Sequence, residues 1–447
     1  MNQSRREFLA AGMAGVAAVV AGGIGEAGVD PGARSGKTLG TVFNNDSNNI
    51  IWRMGKDKEE MTPSAYQQYL GRILDGNPGV LAQDVGLPEG VLYPTKVDTD
   101  RTKHWAELCR QVWPQNDPFP NVAQIDVLKK LFEAGTDPLA LTIKACRERG
   151  VLAVASYRMN AEDLYENTFR ISDFGRAHPE YRIPGTGCLD WAIPAVCEHR
   201  MNIFAELASN YDIDGIEFDF RRWYHMVSDP LKNHTVLTHV VRETRTMLDD
   251  TARRKGRGRM ILGVRVGPML EGTFKKADFP GSCYGEPTNA SCKTLGLDVK
   301  TWVNDRWVDY ICPALFSPQG LPKTKEFVEL VKGTDIGIYP TLSRIPCGAT
   351  AASIVGQPDN AETRRRHRND ICTEALQCYA EGADGVSLFN WFQHHFPQLG
   401  KEDQGSGVKR EWPNDYGPNA LGFGRVQQEV MPKLSSSEKL RELIETP

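Results

Sequence analysis

Short apolar runs rich in β-branched residues alternate along this chain with stretches whose apolar residues recur at helical spacing. The runs predict strands over Thr41–Asn45, Gly79–Gln83, Val151–Ser156, Ile213–Phe220, Met260–Val266, Val308–Leu315, Ile336–Thr341 and Gly385–Phe389. Between them, Pro138–Arg149, Val196–Asn210, Val236–Arg254, Thr324–Val331 and Ala361–Glu381 read as amphipathic helices. The first of these ends in a basic turn, Arg147-Glu148-Arg149, followed by Gly150, the stop that helices favour. Strands that alternate with helices form βα units and a parallel sheet, and eight of them is the count of the α/β (β/α)8 TIM barrel. We expect one such barrel over residues 40–447. Two enlarged βα loops, Val91–Asn121 and Met159–Pro194, would build the substrate cleft at the carboxyl ends of the strands.

One strand departs from the apolar pattern. In Ile213-Asp214-Gly215-Ile216-Glu217-Phe218-Asp219-Phe220-Arg221-Arg222-Trp223, alternation puts Glu217, Asp219 and Arg221 on one face. Ionisable groups facing a dry barrel interior cost several kcal/mol each if unpaired, so they are expected at the strand's open end. An edge strand with a solvated polar face is the plain alternative. The Gly215 turn and the Arg-Arg-Trp cluster argue against it.

Composition changes the picture mainly at the amino terminus. Ser4-Arg5-Arg6-Glu7-Phe8-Leu9 leads into a Gly/Ala-rich apolar run up to Ile24, with Gly25 and Ala27 offering small residues for cleavage. Residues 1–30 therefore read as a twin-arginine signal peptide, and a periplasmic or extracellular site of action follows from it. The run is too short and glycine-broken for a membrane anchor, so no membrane association is expected after cleavage. A net charge of −4 gives no reason to expect a nucleic acid partner. The ten cysteines form no C-x-x-C pair. Cys283 and Cys292 bracket a short turn-rich segment and are the expected disulfide.

The strand ends supply the candidate chemistry. Arg158 and Asn160 leave the third strand, Arg265 lies near the end of the fifth, Tyr339 near the end of the seventh, and Asn390, Trp391 and His394 follow the eighth. Aromatic faces beside arginine, asparagine and histidine suit a sugar, and Asp190, Arg221 and Arg222 complete the expected substrate-binding set. Any one of these has a structural reading: a tryptophan there packs a rim, and Arg158 or Arg265 neutralises Asp219 or Glu217. His394-His395 lacks a third ligand at suitable spacing, so no metal and no cofactor are expected.

The segments His178-Pro179-Glu180-Tyr181, Leu189-Asp190-Trp191-Ala192-Ile193-Pro194-Ala195-Val196 and Tyr211 to Asp219 resemble the run found in glycosyl-hydrolase-like family 10 proteins and related barrel glycosidases. The resemblance covers about residues 140–390 and implies a barrel acting on carbohydrate. The fourth strand also resembles the Asp-x-x-Asp-x-Asp-x-Glu motif of family 18 chitinases, laid over Asp214, Glu217, Asp219 and Arg221, but Arg221 stands where that family has its acid.

Glycosidic cleavage needs one protonated carboxyl and one ionised carboxylate. Asp219 and Glu217 are the catalytic candidates, with Asp219 ranked first because it lies nearer the barrel mouth. Residues two apart on a strand stand roughly 6–7 Å apart, wider than the ~5–5.5 Å of a retaining pair. A second carboxylate from another strand end, Glu271 or Asp190, is an equal alternative. The expected function is thus a secreted glycoside hydrolase, and the arginines also suit an anionic sugar. A catalytically silent carbohydrate-binding barrel, and a polysaccharide lyase or sugar-modifying enzyme, are the competing readings.

Overall fold

The protein's computed structural model describes residues 36–46, 50–51, 54–55, 60–87, 90–103, 121–160, 172–221, 225–272, 291–315, 320–342, 360–389, 391 and 426–445. Residues 1–30, Arg222, Cys283, Asn390 and His394 lie outside them.

Eight parallel strands form one sheet: β1 Thr41–Asn45, β2 Val80–Asp84, β3 Leu152–Arg158, β4 Gly215–Asp219, β5 Ile261–Val266, β6 Tyr310–Pro313, β7 Gly337–Ile338 and β8 Val386–Phe389. Each strand pairs with the next from β1 through β7, and β1 also pairs with β8, with Thr41 opposite Val386. The remaining seam closes beyond β7, where Thr341 bridges Ser387, Ser387 N donates to Pro340 O at 2.9 Å and Leu342 N to Ser387 O at 3.0 Å. This is an α/β barrel of the TIM type.

Helix α1 Pro63–Leu74 lies between β1 and β2, and between β2 and β3 the chain forms α2 Asn121–Glu133 and α3 Pro138–Arg149. Then come α4 Pro194–Asn210, α5 Pro230–Arg254, α6 Val299–Asn304, α7 Thr324–Leu330, α8 Ala361–Ala380 and α9 Ser437–Glu445. Their ends follow local chemistry. Asp137 caps α3 by accepting from Ala140 N at 2.9 Å, Pro138 holds its first turn, and Gly150 ends it at φ +67. Thr62 and Pro63 start α1 the same way.

Alternation along the strands divides the core in two. Residues such as Phe43, Leu81, Ala153, Phe218 and Val264 face outward into the layer under the helices. Val42, Val80, Ala82, Leu152, Val154, Tyr310, Cys312 and Tyr339 fill the barrel itself. Three glycine positions let large rings enter that narrow space. A Cβ at Gly263 would lie 2.1 Å from Tyr310 Cζ, and Cβ atoms at Gly337 and Gly385 would lie 2.6 and 2.8 Å from the Tyr339 ring. The Tyr310 and Tyr339 rings meet edge to face, 6.1 Å between centroids.

Of the expected disulfide, Cys283 lies outside the described residues, and Cys292 is buried with Sγ 3.8 Å from Gly267 O.

Candidate active site

The inward positions nearest the carboxyl ends of β1 to β5 are polar, and they interlock in two tiers. In the deeper tier stands Glu217, fully buried. Its Oε1 accepts from Asn44 Nδ2 at 2.6 Å and Ser156 Oγ at 2.9 Å, and its Oε2 accepts from Tyr310 OH at 2.7 Å. Gly263 is what allows the Tyr310 hydroxyl to reach it. Burial pushes the Glu217 carboxyl above its ordinary range and the Asp219 charge adds to the rise, against the opposing pull of Arg265 and the hydrogen bonds.

Above it, Asp219 Oδ2 pairs with Arg265 Nη1 at 2.9 Å and lies 4.0 Å from Arg158 Nε. Its Oδ1 accepts from Arg221 N at 2.9 Å. Arg158 also pairs, through Nη2, with Asp46, the residue after β1. The Arg265 guanidinium also lies over the Phe389 ring, 4.3 Å from the centroid, which fixes its plane. At the end of β2, Asp84 accepts from Gly86 N at 3.0 Å. Burial pushes its carboxyl up to about 7, with Arg158 opposing the rise and Asp46 adding to it. Asp46, Asp84, Arg158, Asp219, Arg221 and Arg265 are all buried. The mouth therefore combines an acid able to hold a proton near neutrality with a carboxylate fixed by a guanidinium.

Of the residues expected at this site, the structure brings together Glu217, Asp219, Arg158, Arg221 and Arg265. It places five others elsewhere. Tyr339 is fully buried at the amino-terminal end of the barrel, where its hydroxyl donates to Gly36 O at 2.6 Å and accepts from Leu39 N at 2.9 Å. It plugs the floor and does not line the mouth. Trp391 is fully buried in the outer apolar layer, so it offers no open stacking face. Asn160 donates to Leu189 O at 3.0 Å and His225 O at 2.6 Å, and Asp190 Oδ1 accepts from Ala192 N at 2.9 Å and Ser228 N at 3.2 Å. Both residues stitch the loop after β3 to the loop after β4, and that is where their hydrogen bonds go. Glu271, one of the two alternatives for a second carboxylate, instead meets Lys300 at 2.6 Å and Lys293 at 3.6 Å on the surface.

Asp46, Asp84 and Asn44 were missed. Their signal was present, since Asn44-Asn45-Asp46 and Gln83-Asp84 end apolar strands just as Arg158 does. For Tyr310, buried mid-barrel, the sequence carries no such signal.

No family model matches the chain, and no curated protein matches it. Among solved structures it is similar to α-L-fucosidase isoenzyme 2 from Paenibacillus thiaminolyticus, at 12% identity and a TM-score of 0.40, over 87% of this chain and 49% of that one. The chain thus spans about half the length of that fucosidase. It is also similar to a family GH18 chitinase from Cycas revoluta in complex with allosamidin, at 10% identity and a TM-score of 0.43, over 89% of this chain and 99% of the chitinase. The barrel assignment rests on the strand pairing described above.

Proposed function

We propose that this protein is a glycoside hydrolase whose reaction takes place at the carboxyl ends of β1 to β5. The observation that carries the reading is the pairing of unlike carboxyls there: Asp84, pushed up to about 7 by burial, and Asp219, in an ion pair with Arg265. A protonated acid to release the leaving oxygen and a charged carboxylate to meet the oxocarbenium-like centre are the two groups that glycosidic cleavage requires. Asp219 takes the second role, and Asp84 replaces Glu217 as the acid. Glu217, bonded on both oxygens one pleat deeper, holds the strands in register beneath them. Arg158, Arg221 and Arg265 would favour a sugar that carries a carboxylate or sulfate, because guanidinium forks match such groups. The Arg5-Arg6 segment supports export by the twin-arginine route, and with it action outside the cytoplasm.

The test is Asp219→Asn, assayed for new reducing ends against a polysaccharide panel that includes uronate-bearing and sulfated chains. The variant should still bind the sugar while kcat falls by about a hundredfold or more. Thermal unfolding is measured on the same preparation, because the substitution also weakens a buried ion pair. A variant that melts lower yet turns over normally per folded molecule would make Asp219 a structural partner of Arg265 and sink the assignment. An unsaturated product from the wild type would indicate a lyase.

A further inference from the structure

Inward side chains of alternate strands share a layer in a barrel of this kind. Following the strand pairing around the ring, with the tilt that closure requires, puts Arg265 and Thr341 in one layer with Asn44 and Ser156. Cys312 and Ser387 fall in the layer beneath, with Glu217. Observed contacts agree: Asn44 reaches Ser156 at 2.9 Å within its own layer and Glu217 at 2.6 Å in the next. On that side of the interior the polar groups satisfy one another. On the β5 to β8 side they do not. Arg265 Nε, Thr341 Oγ1 and Ser387 Oγ are buried and make no hydrogen bond within the protein. Thr341 pairs with Ser387 and Arg265 with Cys312, so the four side chains stand around one point. Burial pushes the Cys312 thiol far up and Glu217 adds to the rise, so it stays an uncharged S–H, with Arg265 and Ser387 both beside it. A thiol is too weak a partner to satisfy a buried hydroxyl.

A buried polar atom left unpaired costs free energy, and three of them meeting from separate segments call for a partner that is not protein. The charges say which kind. Arg265 already answers two carboxylates: Asp219, through Nη1 at 2.9 Å, and Glu217, against whose upward shift it pulls. No surplus positive charge remains to hold an anion, and a cation would meet the guanidinium. A neutral molecule that both accepts and donates fits. Water does so with one bond received and two given, within the two to four that buried waters usually make.

We propose that an ordered water is bound inside the barrel beneath the mouth, accepting from Arg265 Nε and donating to Thr341 Oγ1 and Ser387 Oγ. It gives the Arg265 guanidinium a third anchor beside Asp219 and the Phe389 ring, which makes Thr341 and Ser387 positioning residues for that arginine. Its occupancy does not depend on turnover, so the site stands whether or not the protein cleaves glycosides. The test joins a crystal structure of the wild-type protein to melting curves and structures of variants. A water should stand within hydrogen-bonding distance of Arg265 Nε and of both hydroxyls. Thr341→Val keeps the shape but removes one partner of the water, so the melting temperature should fall by roughly 1–3 °C. Thr341→Ser keeps the hydroxyl and should retain the water in density. With Thr341→Val and Ser387→Ala combined, the water should be lost and the Arg265 guanidinium should turn from its plane over Phe389. A wild-type map with no water there overturns the site. So does a Thr341→Val protein that melts at or above the wild type, because deleting an unsatisfied hydroxyl would have that effect. Bromide located at the position by anomalous scattering after a bromide soak would make it an anion site and overturn the assignment to water. An Arg265 side chain unmoved in the combined variant would overturn the positioning role.

Discussion

Asp84 is where residue chemistry reaches into stability. Its carboxyl rises from 3.8 in the unfolded chain to about 7 in the folded one, chiefly through burial. A folded state that holds its proton more tightly than the unfolded state loses stability as pH rises through that window. The contribution is complete below 3.8 and gone above about 7. Asp84→Asn removes the titration and keeps the shape. Its melting temperature should therefore fall less than that of the wild type between about pH 5 and about pH 8, as calorimetry at matched ionic strength would show. An equal fall in both would place the pH dependence in other groups. The same residue shows what could be read in advance. A polar residue closing an apolar strand is visible in one dimension, and that rule found Asp219, Arg158 and Arg265. It applied equally to Asp46 and Asp84, which were passed over in favour of Glu271 and Asp190, residues of the following loops.

At the scale of elements, strand order and parallel pairing were legible because each buried strand is a short β-branched run between helix signals. Strand tilt was not, and Tyr339 is the consequence. Thr341 pairs with Ser387 and Ser387 with Val42, so the register carries Tyr339, two residues earlier, down to the level at which β1 begins. A residue at the end of its own strand thus stands on the barrel floor. There its hydroxyl joins two backbone groups of the segment that leads into β1. Tyr339→Phe should cost about 1–3 kcal/mol in chemical denaturation, since Gly36 O and Leu39 N lose a buried partner. Hydrogen exchange at Leu39 should quicken, while turnover at the opposite end of the barrel stays unchanged. A loss of activity with normal exchange would return Tyr339 to the mouth. Helix α1 is not among the expected helices, although Thr62-Pro63 is a readable start.

For the whole molecule, the proposed amino-terminal signal and the barrel make a joint prediction. If export follows the twin-arginine route, Arg5→Lys with Arg6→Lys should retain the full-length chain in the cytoplasm, detected by fractionation and immunoblotting. Export undiminished by that change would remove the basis for a periplasmic role. The route also fits the way the sheet is joined. β1 gains its second neighbour only from β8, and β7 meets β8 through a short bridge beyond its own end. Until Val386–Phe389 has been synthesised, both β1 and β7 carry a bare row of amide and carbonyl groups. A ribosome that stalls before that point leaves a curved sheet with two adhesive borders, so the cell must shelter nearly the entire polypeptide before the ring can shut.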